Sequence, residues 1–336
     1  MLWPLILELA DKTKLSDIHI HSDAPIAYRE FGDMIQLEDH VVSESDIREF
    51  LQEVLEEQDF AGFVESKDHD FAIEKDGKRF RVNAFQEANK FALILRRIES
   101  DLPNFDDLGL PAYIRTIPTL DTGLVLVTGE TGSGKSTTLA ALIDVINATK
   151  KGHIITIEDP IEFQHSSKSS VMTQREVGRD TKSFTNALRA ALREDPDVIL
   201  VGELRDVETI SLALTAAETG HLVFGTLHSN SAPSTINRII DVFPPEQHAQ
   251  VQSQLSSSLR CVLTQRLLKT IDKPGRIAAF ELMICNTAIK SLIRENKVFQ
   301  IENTMQMGKA EGQMLMVNSL KELIAQKRID PSDAAD

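Results

Sequence analysis

The pattern of apolar and polar positions changes near residue 119 and divides the chain into two regions. Residues 1–100 mix helical spacing with strand-like alternation. From residue 119 on, short apolar runs alternate with segments of helical spacing, which predicts a parallel sheet covered by helices. Residues 101–118 contain three prolines and scattered aspartates and predict a linker.

The first region predicts a small α+β domain over residues 1–100. Its expected elements are an amphipathic first helix, a helix over 45–58 capped by Ser43 or Ser45, a hairpin that turns at Asp76-Gly77, and a strand over 90–98. Asp-Gly between two strand-like runs is typical of a tight hairpin turn.

The second region, residues 119–336, predicts four buried strands followed by a mostly helical tail from Pro245. The strands are expected at 123–128, 153–158, 197–202 and 221–227. Within the tail, one face of a short helix is expected to carry four apolar residues: Ala288, Ile289, Leu292 and Ile293.

The most informative motif is GETGSGKS at residues 129–136, between the strand expected at 123–128 and a helical segment. Glycines at these positions let backbone N–H groups approach a phosphate, and a helix N-terminus favours an anion. Lysine reaches the β- and γ-phosphates, and serine offers a hydroxyl to Mg²⁺, so Ser136 is the expected metal ligand. The expected nucleotide-binding residues are Gly129, Glu130, Thr131, Gly132, Ser133, Gly134, Lys135, Ser136 and Thr137.

Acidic residues end two of the predicted strands. Glu203 follows the strand at 197–202, where a carboxylate at the carboxyl end of the sheet can polarise an attacking water or hold a Mg²⁺-bound water. Glu158, followed by Asp159, ends the strand at 153–158, and we interpret it as a water-orienting carboxylate. The alternative for Glu158 is a solvated turn.

Histidines bracket the fourth predicted strand. His228 lies at the end where the ligand is expected and could contact the γ-phosphate, whereas His221 lies at the opposite end and favours a structural or interface role. In the first region, Arg81 and Arg96 lie in predicted strands. An arginine from another subunit can stabilise phosphoryl transfer, but a structural role remains open for both.

Composition narrows the classes of function. Among 336 residues, 51 are acidic and 36 basic, which gives a net charge of −15 at pH 7 and argues against a general nucleic-acid binder. Cys261 and Cys285 are far apart and predict neither a disulfide framework nor a zinc site. No apolar run reaches the length of a membrane span, and we expect a cytoplasmic protein.

Together these motifs resemble those of the secretion-type motor ATPases, and within them the PilT-like type IV pilus retraction ATPases. The resemblance extends over nearly the whole chain. It is carried by the phosphate loop at 128–139, an acidic box at 155–163, a second nucleotide motif at 192–206 and a histidine box at 219–228. The most subfamily-specific segment, AIKSLIRE at 288–295, is similar to a helix that retraction ATPases need beyond hydrolysis.

This resemblance implies an α/β protein in which a PAS-like α+β domain precedes a RecA-like P-loop ATPase domain. It implies a homohexamer that holds ATP between the two domains, uses Mg²⁺, and powers pilus retraction and twitching motility. It also implies an inner-membrane platform protein as partner and a peripheral location at the inner face of the cytoplasmic membrane. The catalytic groups that it implies are Glu203, Glu158, His228, Arg81 and Arg96.

Three alternatives remain open. Motors that extend a pilus or drive secretion share these motifs, although they usually carry a longer N-terminal region and a tetracysteine zinc site, which this sequence lacks. A nucleic-acid motor is disfavoured by the charge of −15. A non-catalytic subunit is disfavoured by the intact Lys135, Ser136 and Glu203.

Overall fold

The structure, a computed structural model, describes residues 2–12, 15–30, 33–98, 102–272 and 275–334. These residues form two units, Met1–Asp101 and Leu102–Asp336. The boundary between the units lies within one residue of the predicted end of the first domain, whereas residues 102–118, predicted as a linker, belong to the second unit.

The described part of the first unit is an antiparallel sheet in the order β3-β2-β1-β6-β5-β4. The helices and strands of this unit are α1 (Leu2–Lys12), β1 (Leu15–His21), β2 (Ala24–Glu30), β3 (Asp33–Val42), α2 (Glu44–Val54), α3 (Glu57–Ser66), β4 (Asp68–Lys75), β5 (Lys78–Glu87) and β6 (Lys90–Ile98). Alternate residues such as Ile18, Ile20 and Leu93 pack with the three helices, which leaves the polar face of the sheet uncovered by them.

Two local predictions in this unit are confirmed. Ser43 caps α2, its side chain accepting from the N–H of Asp46, whose carboxylate accepts from the N–H of Ser43 in return. Asp76 and Gly77 form the two-residue turn between β4 and β5, both with positive φ. The helix predicted over 45–58 ends at Val54, because Leu55 is extended. The description of this unit as PAS-like stays a prediction.

The described part of the second unit is a sheet in the order β13-β12-β7-β11-β10-β8-β9, parallel except for the antiparallel strand β13. Its strands are β7 (Gly123–Thr128), β8 (His153–Glu158), β9 (Val171–Glu176), β10 (Val198–Val201), β11 (Leu222–Leu227), β12 (Leu259–Lys269) and β13 (Arg276–Ile284). Its helices are α4 (Lys135–Thr149), α5 (Phe184–Ala191), α6 (Val207–Glu218), α7 (Ala232–Asp241), α8 (His248–Ser258), α9 (Thr287–Arg294), α10 (Ile301–Met307) and α11 (Met316–Ala325).

The four predicted strands are confirmed to within one residue as β7, β8, β10 and β11. They are continuously apolar because both faces of the sheet are buried. Val125 and Val127 pack against α4, whereas Leu124 and Leu126 pack with helices on the other face.

The structure revises two expectations for this unit. The tail from Pro245 is mostly helical, as expected, but it also contains a hairpin that was not predicted, Leu259–Lys269 and Arg276–Ile284, which extends the sheet beside β7. The proposed linker forms the 3-10 helices Phe105–Leu108 and Ala112–Thr119. Their side chains Ile114 and Ile117 are buried against α4, so this segment is part of the packing.

Both cysteines are buried in this second unit. Cys261 lies in β12 and Cys285 directly follows β13. Burial raises the pKa of each thiol to about 12. Neither thiol is therefore ionised to a useful degree near neutral pH.

Candidate functional site

The glycine-rich loop joins the carboxyl end of β7 to the N-terminus of α4. Gly129, Gly132 and Gly134 all have positive φ, which side chains other than hydrogen disfavour. A Cβ on Gly129 would lie 2.3 Å from the backbone oxygen of Gln265, so only glycine fits there. The loop therefore presents backbone at a helix N-terminus, as the sequence predicts.

Lys135 lies at the start of α4, and its Nζ donates to the carbonyl oxygens of Gly129 and Glu130 at 2.9 Å each. Burial lowers the pKa of Lys135, and the charges of Glu203 and Glu162 oppose that shift. The ammonium group, the loop and these two carboxylates thus belong to one electrostatic site.

Ser133 gives a direct test of whether a phosphate fits this loop. Its Oγ is buried and has no hydrogen-bond partner among the described residues. Buried hydroxyls are normally satisfied, so an atom of this kind in a glycine-rich loop indicates a missing acceptor. A nucleotide phosphate oxygen would supply that acceptor.

Glu158 ends β8, and its carboxylate accepts from Thr156 Oγ1 at 2.7 Å and from Gln174 Nε2 at 3.3 Å. Burial raises its pKa to about 7, against the effect of these two hydrogen bonds. A carboxylate with a pKa near neutrality can exchange a proton at physiological pH, as a general base must.

Glu203 lies just beyond β10, between Arg205 and His228. Arg205 donates to its Oε2 at 2.6 Å, and His228 Nε2 lies 3.5 Å from its Oε1. Burial would raise the pKa of Glu203, but the hydrogen bond and charge of Arg205, assisted by His228, hold it below the usual value. The structure therefore brings the predicted Glu203 and His228 together with Arg205, which the sequence did not single out as a site residue.

The remaining predicted residues lie on the glycine-rich loop, in the first turn of α4 and beside β11. Glu130 and Thr131 are exposed on the loop, whereas Ser136 and Thr137 are partly buried in the first turn of α4. His221 lies at the opposite end of β11, where its Nδ1 is 2.9 Å from the carbonyl oxygen of Ala216.

The two predicted arginines lie in the first unit, on the polar side of its sheet. Arg81 on β5 pairs with Asp70, and Arg96 on β6 donates to Asp17 at 2.8 Å. The side chain of Arg96 remains 67% exposed, so its guanidinium is reachable despite this ion pair.

A cavity of about 690 Å³ lies beside the glycine-rich loop. Gln265 lines it, with a buried Oε1 that has no partner within the described ranges and an Nε2 that donates to Thr138 at 2.9 Å. Sequence reasoning missed Gln265, because its strand β12 also carries arginine, threonine and lysine and was assigned to the helical tail. Asn230 and Met316 also line the cavity.

Within the described ranges, no group of three or more histidine, cysteine, aspartate or glutamate residues has an arrangement that could hold a metal ion. No helix in the part of the chain that the structure describes is long and apolar enough to cross a membrane.

The loop, Glu158, Glu203 and His228 thus lie at the carboxyl ends of four neighbouring parallel strands, along one edge of the sheet. A phosphate loop between a strand and a helix, with acids at the ends of adjacent strands, defines a P-loop ATPase with a RecA-like fold.

Comparisons with known proteins give the family. The Type II/IV secretion system protein family matches residues 4–329. The chain is 46% identical over 332 residues to the "Type IV pilus retractation ATPase PilT" of Pseudomonas aeruginosa, covering 98% of this chain and 96% of that protein. It is 49% identical over 307 residues to a "Twitching motility protein" of Neisseria gonorrhoeae, covering 91% and 82%.

A solved structure agrees with these relatives. The crystal structure of the pilus retraction motor PilT with bound ADP superposes with a TM-score of 0.91 at 48% identity, covering 98% of this chain and 95% of that one. The chain belongs to the Type II/IV secretion system protein family, and within it to the PilT-like retraction ATPases. The predicted family, fold class and enzyme class are confirmed.

Proposed function

We propose that this protein hydrolyses ATP to power the retraction of a type IV pilus, and thereby twitching motility. The observation that carries the proposal is the edge of the second sheet, where the glycine-rich loop, Glu158, Glu203 and His228 follow adjacent parallel strands. The likeness to retraction ATPases over nearly the whole chain supports pilus retraction as the output.

The loop binds the phosphates of ATP in this proposal. Backbone N–H groups at the start of α4 and the hydroxyl of Ser133 donate to phosphate oxygens. Lys135 exchanges its bonds to loop carbonyls for the β- and γ-phosphates and neutralises their charge. Ser136, in the first turn of α4, is the residue that would hold Mg²⁺, which when bound neutralises phosphate charge.

Glu203 and Glu158 have different roles towards the attacking water in this proposal. Glu203 stays ionised because Arg205 and His228 lower its pKa, so it can orient a water by accepting a hydrogen bond. Glu158, with its raised pKa, is suited to take up a proton. His228 is proposed to couple Glu203 to the γ-phosphate.

The motor is proposed to be a homohexamer in which Arg81 and Arg96 supply positive charge to the nucleotide. Arginine contacts of this kind stabilise the charge that develops during phosphoryl transfer. The ring would work at the inner face of the cytoplasmic membrane on a platform protein of the pilus machine. The helix α9 is the proposed site of that output.

The deciding experiment is deletion of the gene followed by counts of surface pili and a motility assay. We expect excess pili that do not retract, restored by the wild-type chain but not by Lys135→Ala. Lys151→Ala, which removes an exposed lysine beyond α4, should restore retraction and serves as the control. Fewer pili in the deletion strain would instead indicate an extension or secretion motor.

The purified protein provides the biochemical counterpart. We expect Mg²⁺-dependent ATP hydrolysis that Lys135→Ala abolishes, because the substitution removes the charge that neutralises the phosphates. Wild-type turnover by the Lys135→Ala protein would exclude this loop as the hydrolytic site.

A further inference from the structure

A buried carboxylate outside the predicted site connects two helices in the second unit. Glu281 on β13 is only 7% exposed. Its Oε1 accepts from the N–H of Ala232 at 2.7 Å, and its Oε2 faces the N–H of Met316 at 3.5 Å. Ala232 and Met316 are the first residues of α7 and α11. One side chain therefore spans the N-termini of two helices that are distant in sequence.

In this contact a carboxylate lies at the N-termini of two helices. Free N–H groups and the helix dipole favour negative charge there. Burial raises the pKa of Glu281, and the hydrogen bonds from both N–H groups oppose that shift. A buried carboxylate is costly, and a well-packed apolar residue would often be more stabilising at such a position.

Helix capping alone accounts for only part of this arrangement. The helix α7 already has a local cap, since Ser231 and Ser234 form a reciprocal capping box. The helix α11 begins after Leu315, with no side-chain cap of its own. Glu281 accepts from the N–H of Ala232, which this capping box does not reach, and it also links α7 to α11.

That link lies beside the nucleotide site. The chain runs from His228 at the end of β11 through Asn230 to the start of α7, and both Asn230 and Met316 line the cavity next to the phosphate loop. Thr264, another lining residue, pairs with Glu281 across the β12–β13 ladder.

Thr264 also ties this region to the phosphate loop. Its Oγ1 lies 2.9 Å from Oγ1 of Thr128, the residue directly before Gly129. A buried polar row, Thr128, Thr264 and Glu281, therefore runs across three neighbouring strands from the loop to the two helices.

We propose that Glu281 is a positioning residue of the nucleotide site. It fixes the positions of Asn230 and Met316, in the cavity wall, relative to the phosphate loop. This role rests on the proposed ATPase function. Glu281 does not contact the nucleotide; it acts through the backbone of Ala232 and Met316. Replacing Glu281 should therefore reduce the affinity for nucleotide more strongly than it reduces the stability of the fold.

The test compares full-length Glu281→Gln with wild type. The amide is nearly isosteric but keeps one acceptor oxygen and places an NH₂ donor against a backbone N–H. We expect the Kd for a fluorescent ADP analogue and the KM for ATP to rise about tenfold, the scale of one hydrogen bond to a charged group. Glu302→Gln, which removes an exposed carboxylate on α10 that acts on Glu281 only through its charge, should stay within about twofold of wild type.

A second variant breaks the same contact from the donor's side, because a proline ring carbon at residue 232 takes the place of the hydrogen that faces the Glu281 carboxylate. Proline is tolerated at the first position of a helix, so Ala232→Pro deletes one N–H while α7 retains its capping box. We expect a similar rise in Kd, and no further rise in the double variant with Glu281→Gln. Should Glu281→Gln fail to assemble, Ala232→Pro alone decides the question.

The outcomes separate this role from the proposed function. Wild-type Kd with a lowered melting temperature in Glu281→Gln would make Glu281 a packing residue and overturn the positioning role. If the wild-type protein itself neither bound nor hydrolysed nucleotide, the ATPase assignment would fall, and this role with it.

Discussion

Arg81 and Arg96 lie directly opposite each other on β5 and β6, and each is paired with an aspartate of its own unit. Arg81 Nε donates to both carboxylate oxygens of Asp70, at 3.0 and 3.2 Å. Arg96 Nε donates to Asp17, which faces it across the β1–β6 ladder. The aspartates offset the repulsion between the neighbouring guanidinium groups and hold both arginines in fixed positions on the sheet.

We expect Arg81→Ala and Arg96→Ala each to lower ATP turnover by at least about 10², because an arginine that stabilises phosphoryl transfer typically contributes more than that. Steady-state ATPase assays on the full-length protein measure the effect. Arg48→Ala is the matched control, since Arg48 lies in the same unit, pairs with Glu44 of its own helix and stacks on a phenylalanine ring. Turnover equal to that of the control would assign both arginines a structural role.

Glu203→Gln should retain nucleotide binding while ATP hydrolysis falls by about 10², the scale of a lost catalytic acid or base. The amide keeps the size of the side chain but no longer attracts Arg205 or orients water as a carboxylate does. Binding of a fluorescent ADP analogue and single-turnover hydrolysis separate the two effects. Glu208→Gln, at an exposed carboxylate paired with Arg189, controls for the loss of charge. Hydrolysis within twofold of wild type would remove Glu203 from the mechanism.

Glu158 gives the protein a pH-dependent stability. Between pH 4.5 and about 7, the Glu158 carboxyl group loses its proton in the unfolded chain but keeps it in the folded chain. The free energy of unfolding therefore falls as pH rises through that window, by up to about 3 kcal/mol, and the loss is complete above pH 7. We expect Glu158→Gln to melt at a higher temperature than wild type at pH 8 and the gap to narrow towards pH 5. A gap that stays constant with pH contradicts the raised pKa.

The helix α9 should separate pilus retraction from hydrolysis. Ile289 and Ile293 bury its apolar face, whereas Arg294 is exposed and Lys290 partly so. We expect the double variant Lys290→Ala/Arg294→Ala to form rings and hydrolyse ATP at the wild-type rate, because neither side chain belongs to the phosphate site. Cells with this variant should nevertheless carry excess pili that do not retract.

The control for α9 removes two exposed lysines from other positions, Lys309→Ala with Lys321→Ala. Cells with this control should retract normally. Normal retraction by the α9 variant as well would reduce α9 to a packing helix.

Features set by neighbouring residues were predictable from the sequence. The glycine-rich loop, the cap at Ser43 and the turn at Asp76-Gly77 each depend on a few consecutive residues, and the structure has all three. Strands β7, β8, β10 and β11 were predictable because burial on both faces makes them continuously apolar.

Features set by distant partners were not predictable. The β12–β13 hairpin was assigned to a helical tail, because its apolar residues have no strict alternation and its pairing with β7 is not local. Gln265 meets Thr138 across 127 residues, and Glu281 meets Ala232 across 49. Ala288, expected on the apolar face of α9, is exposed, since a helical spacing does not specify where the buried face ends.

The burial of Cys261 and Cys285 makes the natural chain a suitable starting point for spectroscopy. A thiol whose pKa is about 12 has almost no thiolate near neutral pH, and maleimide and iodoacetamide reagents need both thiolate and access. A single introduced cysteine at an exposed position, such as Ala288→Cys on α9, would then carry a fluorophore alone, without prior removal of the native cysteines. Movements of that helix during a hydrolysis cycle could be followed in the otherwise unaltered protein.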